Sequence, residues 1–365
     1  MTESIHVYAD SGVGEYHLTY LNMLNESYIK IYRDLNEFKA LPATNKHAVF
    51  HACFPYYPNA ENAIDGVILQ LVDQCKTISV LISEVHTPIV DFATRFQCHN
   101  IQYFVCGFIN GINTHQWMDW FETTSSFYKI NLDTLKQLNP YDSKPKYFDI
   151  LLGKPKPHRD QVYHFIKDNE LDNQVIMTYL LDHRNKLIQD CKSIREYGTD
   201  GFILDEPNLI LLNEEFKGTI ARVKYHNYEM SLSQVVPLSL YNQTAYTVIA
   251  ETNFENHYTF FTEKTCKPIL AERLFIMLGG QYYLRNLREL GFKTFDGIID
   301  ESYDLEPNNI RRWTMAIEQM KYLFEQPQIE ILNKVRPIAK HNKRIMLETK
   351  WSGIMCNQLK KIIAE

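Results

Sequence analysis

The sequence predicts an α/β protein of two doubly wound parallel domains. Three observations carry this expectation. Short apolar runs that end in glycine or polar turns alternate with stretches of helical length along the chain. Residues 132–147, rich in Pro, Lys and Asn, interrupt the alternation and read as an interdomain linker. The length of 365 residues suits two domains of ordinary size.

The first strand is expected over residues 5–9. It leaves into Asp10-Ser11-Gly12-Val13-Gly14-Glu15, followed by a helical stretch over 16–25. A strand, a glycine turn and a helix are how a Rossmann-like domain begins, and Gly14 lets the backbone approach a ligand closely. His17 stands where a dinucleotide fingerprint has its third glycine, so that signature is absent. Further strands are expected over 48–54, 78–82 and 101–108, with a helix over 60–76. The strand over 78–82 leaves into Ser83-Glu84-Val85-His86. In a parallel sheet these exits share one edge.

The second domain starts with a strand over 147–153. It runs into Lys154-Pro155-Lys156-Pro157-His158-Arg159 and an amphipathic helix over 161–169. A strand, a glycine, several cations and a helix start make an anion site by position and charge. Arg159 is the first choice there, because its fork matches phosphate oxygens. A strand follows over 175–181, then a polar, irregular stretch over 182–211. Residues 227–241 lead to Tyr241, read as donor-facing, and a strand over 245–250 delivers residues 251–256 to the cleft. Next come Thr262-Glu263-Lys264 opening a short helix, a buried strand over 274–278 and Gly279-Gly280. A helix start offers free N–H groups to an anion, Lys264 adds a cation, and Glu263 suits sugar hydroxyls. Phosphate plus polyol is the chemistry of a nucleotide sugar. The rest of the chain reads as helical, with an amphipathic helix over 311–325, Pro337 near a kink and Trp351 as a docking anchor.

Phe254-Glu255-Asn256, Tyr258 and Thr262-Glu263-Lys264 resemble the donor-binding signature of the α1,3-fucosyltransferases. The match covers about forty residues strongly. It departs downstream, where Phe275-Ile276-Met277-Leu278 stands in place of the family's Val-Pro-Val strand. The resemblance implies a GT-B glycosyltransferase, with two Rossmann-like domains facing across a cleft. It assigns 1–146 to an acceptor-side domain, 147–340 to a nucleotide-sugar donor domain, and 341–365 to a helix that returns to the first domain. Lys154, Lys156, Arg159, Tyr241, Glu255, Asn256, Thr262, Glu263 and Lys264 are then the donor-binding candidates. An inverting transfer needs a base on the first domain, for which Glu84, Asp10 and His86 are the candidates. A retaining one needs none. The partners expected are a nucleotide-diphosphate sugar and an acceptor, either a glycan or a hydroxymethylated base of phage DNA. The abundance of Tyr, Asn, Ile and Lys suggests an A+T-rich coding sequence, as in many phages. The sugar, the nucleotide and the stereochemistry stay open. So do a nucleotide-sugar epimerase of the same layout and an inactive carbohydrate- or DNA-binding protein.

Composition bounds these readings. Hydrophobic residues at 45% and charged residues at 22% describe a soluble globular chain. A net charge of −6 argues against a broad nucleic-acid footprint. Seven cysteines without a CxxC spacing read as free thiols in a reducing cytoplasm, bacterial or of a phage-infected host. No apolar run reaches the roughly 20 residues of a membrane span. The start MTESIHVYADSG lacks the basic and apolar blocks of a signal peptide. The sequence has no Asp-x-Asp triplet, no HExxH and no phosphate-binding P-loop. The expectation is therefore a transferase that needs neither metal nor cofactor.

Overall fold

The structure is a computed structural model. It describes residues 4–9, 29–41, 44–52, 66–82, 94, 100–179, 203, 205–212 and 221–364. The chain divides into two compact units, Met1–Asp119 with Lys350–Glu365, and Trp120–Thr349. Each is a mixed α/β body built on a parallel sheet.

The first unit contains β1 (Ile5–Ala9), β2 (Ile29–Tyr32), β3 (Lys46–Ala52), β4 (Thr77–Ile82), β5 (Ile101–Val105) and the short β6 (His115–Gln116). They form a six-stranded sheet in the order β2-β1-β3-β4-β5-β6, with every pairing parallel. Apolar runs make β1, β3, β4 and β5 because residues on both faces of these strands are buried, whereas β2 at the edge is largely exposed. Val7, Val49, Phe50, Val80, Ile82 and Phe104 are all buried. The last helix of the chain, Trp351–Ala364, belongs to this unit and packs on β4 and β6 through buried Trp351, Met355 and Leu359.

The second unit opens with α1 (Asp119–Ile130), whose Phe121, Phe127 and Tyr128 are buried. Its parallel sheet is made of β7 (Lys146–Leu152), β8 (Val175–Tyr179), β9 (Thr244–Ala250) and β10 (Phe275–Leu278), in the order β10-β9-β7-β8. The chain order reverses between β7 and β9, so a crevice opens beyond their carboxyl ends. α2 (Pro157–Asp168) follows β7, and α3 (Glu263–Leu270) lies between β9 and β10. α4 (Asn309–Phe324) packs on α2 and β10, and α5 (Gln328–Glu348) packs on α3.

The sheet carries one buried charge pair. Asp149 in the middle of β7 and Arg273 just before β10 meet at 2.7 Å, each with 2% of its side chain exposed. Thr244 and Thr247 also donate to the same carboxylate oxygen. Arg273 bonds Thr247 Oγ1 and the carbonyls of Tyr241, Thr244 and Tyr246. A buried ion pair persists only when its remaining donors and acceptors are met, and here they are.

Several sequence expectations shift. The stretch 132–147, expected as a linker, lies inside the second unit, and the division falls at Asp119. Side chains far along the chain stitch that stretch in place. Asn242 accepts from Asn139 N, Tyr141 donates to Glu272, and Gln328 bonds both N–H and carbonyl of Lys144. Within the stretch expected to be irregular, residues 209–211 form a strand that starts a three-stranded antiparallel meander with 222–225 and 228–231. The C-terminal helical stretch breaks at Thr349–Lys350 into two helices. No helix among the described residues is long and apolar enough to cross a membrane. Cys75, Cys106, Cys266 and Cys356 are buried free thiols.

Arg273→Met leaves the Asp149 carboxylate buried and unpaired. Urea unfolding is expected to show a loss of about 3–5 kcal/mol for the second unit. A loss below about 1 kcal/mol would show that the pair does not hold the sheet.

Candidate functional site

The carboxyl ends of β7 and β9 carry the polar residues of the second unit. Beyond β9, Glu251 is fully buried at 0% exposure. Its carboxylate accepts from Thr262 N at 3.3 Å, Thr262 Oγ1 at 2.9 Å, Thr265 Oγ1 at 3.4 Å, Tyr283 OH at 3.1 Å and Thr252 N at 2.9 Å. A buried carboxylate is tolerable only with such a set of donors. These bonds fix the start of α3 against the end of β9.

α3 begins at Thr262, whose hydroxyl caps Lys264 N at 3.2 Å. Lys264 Nζ lies 3.0 Å from Glu263, 3.3 Å from Thr252 Oγ1 and 3.4 Å from Thr262 Oγ1. Burial disfavours its charge, but Glu263 and Glu251 outweigh burial and hold its pKa above the ordinary lysine value. Burial likewise pushes the Glu263 carboxyl upward, and Lys264 and Lys267 overcome it and hold the group below the usual range.

From the other side, the turn after β7 brings Lys156 to the same residue. Its ammonium donates to the Thr252 carbonyl and lies 5.8 Å from the centre of the Phe254 ring. Two ammonium groups thus converge on Thr252, one on its carbonyl and one on its hydroxyl. Lys156 is also the N-cap of α2, and no side chain caps that helix start. Lys154, one turn earlier, is exposed.

Arg159 occupies a different position from the one expected. It is 5% exposed and turns inward, donating to the carbonyls of Lys154 at 2.9 Å, Ala250 at 3.2 Å and Glu251 at 3.4 Å. Gly153 makes room for it, since a Cβ there would lie 3.2 Å from its guanidinium. Arg159 braces the turn from beneath and is not presented to a ligand. Beside it, His158 Nε2–H donates to the Glu251 carbonyl at 2.9 Å. Its ring lies between Phe254 at 4.9 Å and Trp313 at 5.5 Å. Burial, reinforced by the Arg159 charge, pushes its pKa down to about 3, so the ring is neutral at pH 7.

The loop Thr252–His257 is pinned along its length. Asn253 donates to the Tyr258 carbonyl at 2.7 Å. Asn256 donates to the Pro307 carbonyl at 2.6 Å and accepts from Gln281 N at 3.1 Å. Arg312, 2% exposed, donates to the carbonyls of Gly279, Glu306 and Phe254. Gly280 passes so close that a Cβ would sit 2.2 Å from the Glu255 carbonyl oxygen, so no other residue fits. Asn256, expected to touch a donor, is a structural clamp here. Glu255 is 40% exposed and pairs with His257 at 3.1 Å.

The structure therefore gathers Lys154, Lys156, Glu255, Thr262, Glu263 and Lys264 at one edge of the sheet, with Arg159 and Asn256 as supports. Tyr241 is not among them. It precedes β9, at the opposite end of the parallel strands, and its ring packs 4.3 Å from the Arg273 guanidinium. Asp10, Glu84 and His86 lie outside the described residues. The sequence places Glu251 at the cleft without singling it out and gives Arg312 no role. An acidic residue directly after a fully buried strand is the available signal for Glu251. Arg312 gave none, because its partners are carbonyls far away in sequence. No family model, no curated protein and no solved structure matches the chain.

Two helix starts and two ammonium groups make this edge suited to an anion. The α3 start already faces the Glu251 and Glu263 carboxylates. The α2 start has Lys156 at its N-cap and Asp160 in its first turn, where the Asp160 carboxylate accepts from the Tyr179 hydroxyl.

The neutral state of His158 fixes a pH dependence. The unfolded chain takes up a proton near the ordinary pKa of 6.5, and the folded chain only near 3. Stability is unaffected above pH 6.5 and is lost as pH falls toward 3, by about 2 kcal/mol at pH 5. His158→Gln keeps an N–H donor and removes the ionisable ring. The stability difference between pH 8 and pH 5 is expected to shrink by about that amount. An unchanged difference would contradict the buried neutral ring.

Proposed function

We propose that the protein is a metal-independent glycosyltransferase of GT-B type that draws its sugar from a nucleotide-diphosphate donor. The convergence of Lys156 and Lys264 on Thr252, at the crevice of a doubly wound sheet, carries this reading. In the reaction the bond from the anomeric carbon to the donor phosphate oxygen breaks, and the acceptor oxygen bonds to that carbon. The leaving diphosphate gains charge as it departs. Lys156, Lys264 and the α2 amide end neutralise that charge in a partly dry site. Glu255, 40% exposed on a pinned loop, and Glu263 are placed to accept from hydroxyl groups of the donor. If the transfer inverts, the base that takes the acceptor proton comes from Asp10, Glu84 or His86. The acceptor is a glycan or a hydroxymethylated base of phage DNA, and the reaction runs in the bacterial or infected-host cytoplasm.

Turnover of a panel of nucleotide-diphosphate sugars, read as release of the nucleoside diphosphate, tests this. Lys264→Ala and Lys156→Ala are each expected to lower turnover about 100-fold with the fold intact. Arg159→Ala is expected to lose stability, because three main-chain carbonyls lose their donor. Activity is expected to persist in excess EDTA. Full activity in both lysine variants, or an EDTA loss restored by a divalent cation, would overturn the reading.

A further inference from the structure

α3 carries a second lysine, Lys267. Lys267 stands three residues after Lys264 and four after Glu263, so all three share one helical face. It is 6% exposed, yet no described residue hydrogen-bonds to its ammonium or forms an ion pair with it. Glu263 feels its charge, but the ion pair of Glu263 is made with Lys264. The ammonium nitrogen is not among the buried polar atoms sealed from solvent. A nearly buried cation without a partner is costly, and such groups are kept where something external completes them.

We propose that Lys267 is a ligand-binding residue that, with Lys264, grips two adjacent phosphoryl groups. The site then selects a diphosphate over a single phosphate. The inference rests on the reading that Lys264 meets a donor phosphate. Two cations one helical turn apart on one face address two neighbouring anionic groups, whereas Lys264 alone addresses one. Glu263 pairs with Lys264, and the charges of Lys264 and Lys267 together hold its carboxyl below the usual range. A different role exists for a lysine in the last turn of a helix, namely favourable interaction with the negative end of the helix dipole. The two roles predict opposite effects on the ligand-free protein. Replacing a dipole partner destabilises the fold. Replacing an unpaired buried charge by an apolar chain of similar length stabilises it.

Lys267→Met and Lys267→Arg separate these roles. The measurements are thermal unfolding without ligand and calorimetric titration with inorganic pyrophosphate and with orthophosphate. Wild type is expected to bind pyrophosphate at least about tenfold more tightly than orthophosphate. Lys267→Met is expected to unfold at a higher temperature than wild type, lose most of that preference and bind orthophosphate almost unchanged. Lys267→Arg is expected to retain the preference. A lower unfolding temperature for Lys267→Met, failure of that variant to fold, or an undiminished pyrophosphate preference would each overturn the proposal. Equal binding of the two anions by wild type would do the same. Loss of sugar-nucleotide turnover with the pyrophosphate preference intact would sink the transferase reading alone and leave the role of Lys267 standing.

Discussion

The buried carboxylate of Glu251 is the constraint on which the second unit's functional edge depends. It ends the central strand β9, and its two oxygens collect the amides of Thr252 and Thr262 and the hydroxyls of Thr262, Thr265 and Tyr283. One negative charge therefore sets the start of α3, the first residue of the following loop and the direction of the Lys264 side chain. A charge in that position demands compensation, and the cations around it supply it. Arg159 lies beneath with its guanidinium on the Glu251 carbonyl, and Lys264 stands above the cap. Without the carboxylate, the hydroxyls of Thr262 and Thr265 lose their common acceptor, and the bond from Lys264 to Thr252 Oγ1 is left to tie α3 to the strand end.

The rigidity of the adjoining loop follows from a different principle. Its backbone is held by side-chain amides and a buried guanidinium, and by a glycine that permits contact closer than any side chain allows. Its exposed Glu255 and His257 are thus presented from a fixed main chain. Function at such an edge benefits from a prepaid geometry, because charge that develops on a ligand then meets dipoles already in place.

Much of this was legible in the sequence, and the reasons are specific. The central strands of both sheets are readable because both of their faces are buried, so they appear as mostly apolar runs, whereas the edge strands β2 and β6, which are short and partly exposed, carry no such signal. The helix start at Thr262 was readable because a threonine cap followed by Glu-Lys is a local signal. Arg159 reads as a ligand-facing cation, and in the structure its guanidinium meets main-chain carbonyls. A cation after a strand looks the same in sequence whether it faces a ligand or a set of carbonyls. Tyr241 was misassigned because proximity to β9 in sequence does not say which end of the strand a residue occupies. Residues 132–147 read as a linker because Pro and Lys content reports local stiffness and polarity, whereas they lie within the second unit. The bonds to Asn242, Glu272 and Gln328 are long-range and leave no local trace. Lys267 leaves no sequence signal because its distinguishing property, the lack of a partner among the described residues, appears only in three dimensions.

The central claim is that an anionic ligand sits at the carboxyl edge of the second unit's sheet, over Thr252 and between Lys156 and Lys264. A crystal structure of the protein with a bound nucleoside diphosphate tests it most directly. The account predicts phosphate oxygens within hydrogen-bonding distance of both ammonium groups and of the first-turn amides of α2. A diphosphate bound only at the carboxyl edge of the first unit's sheet, with Lys156 and Lys264 still bonded to Thr252, would contradict it.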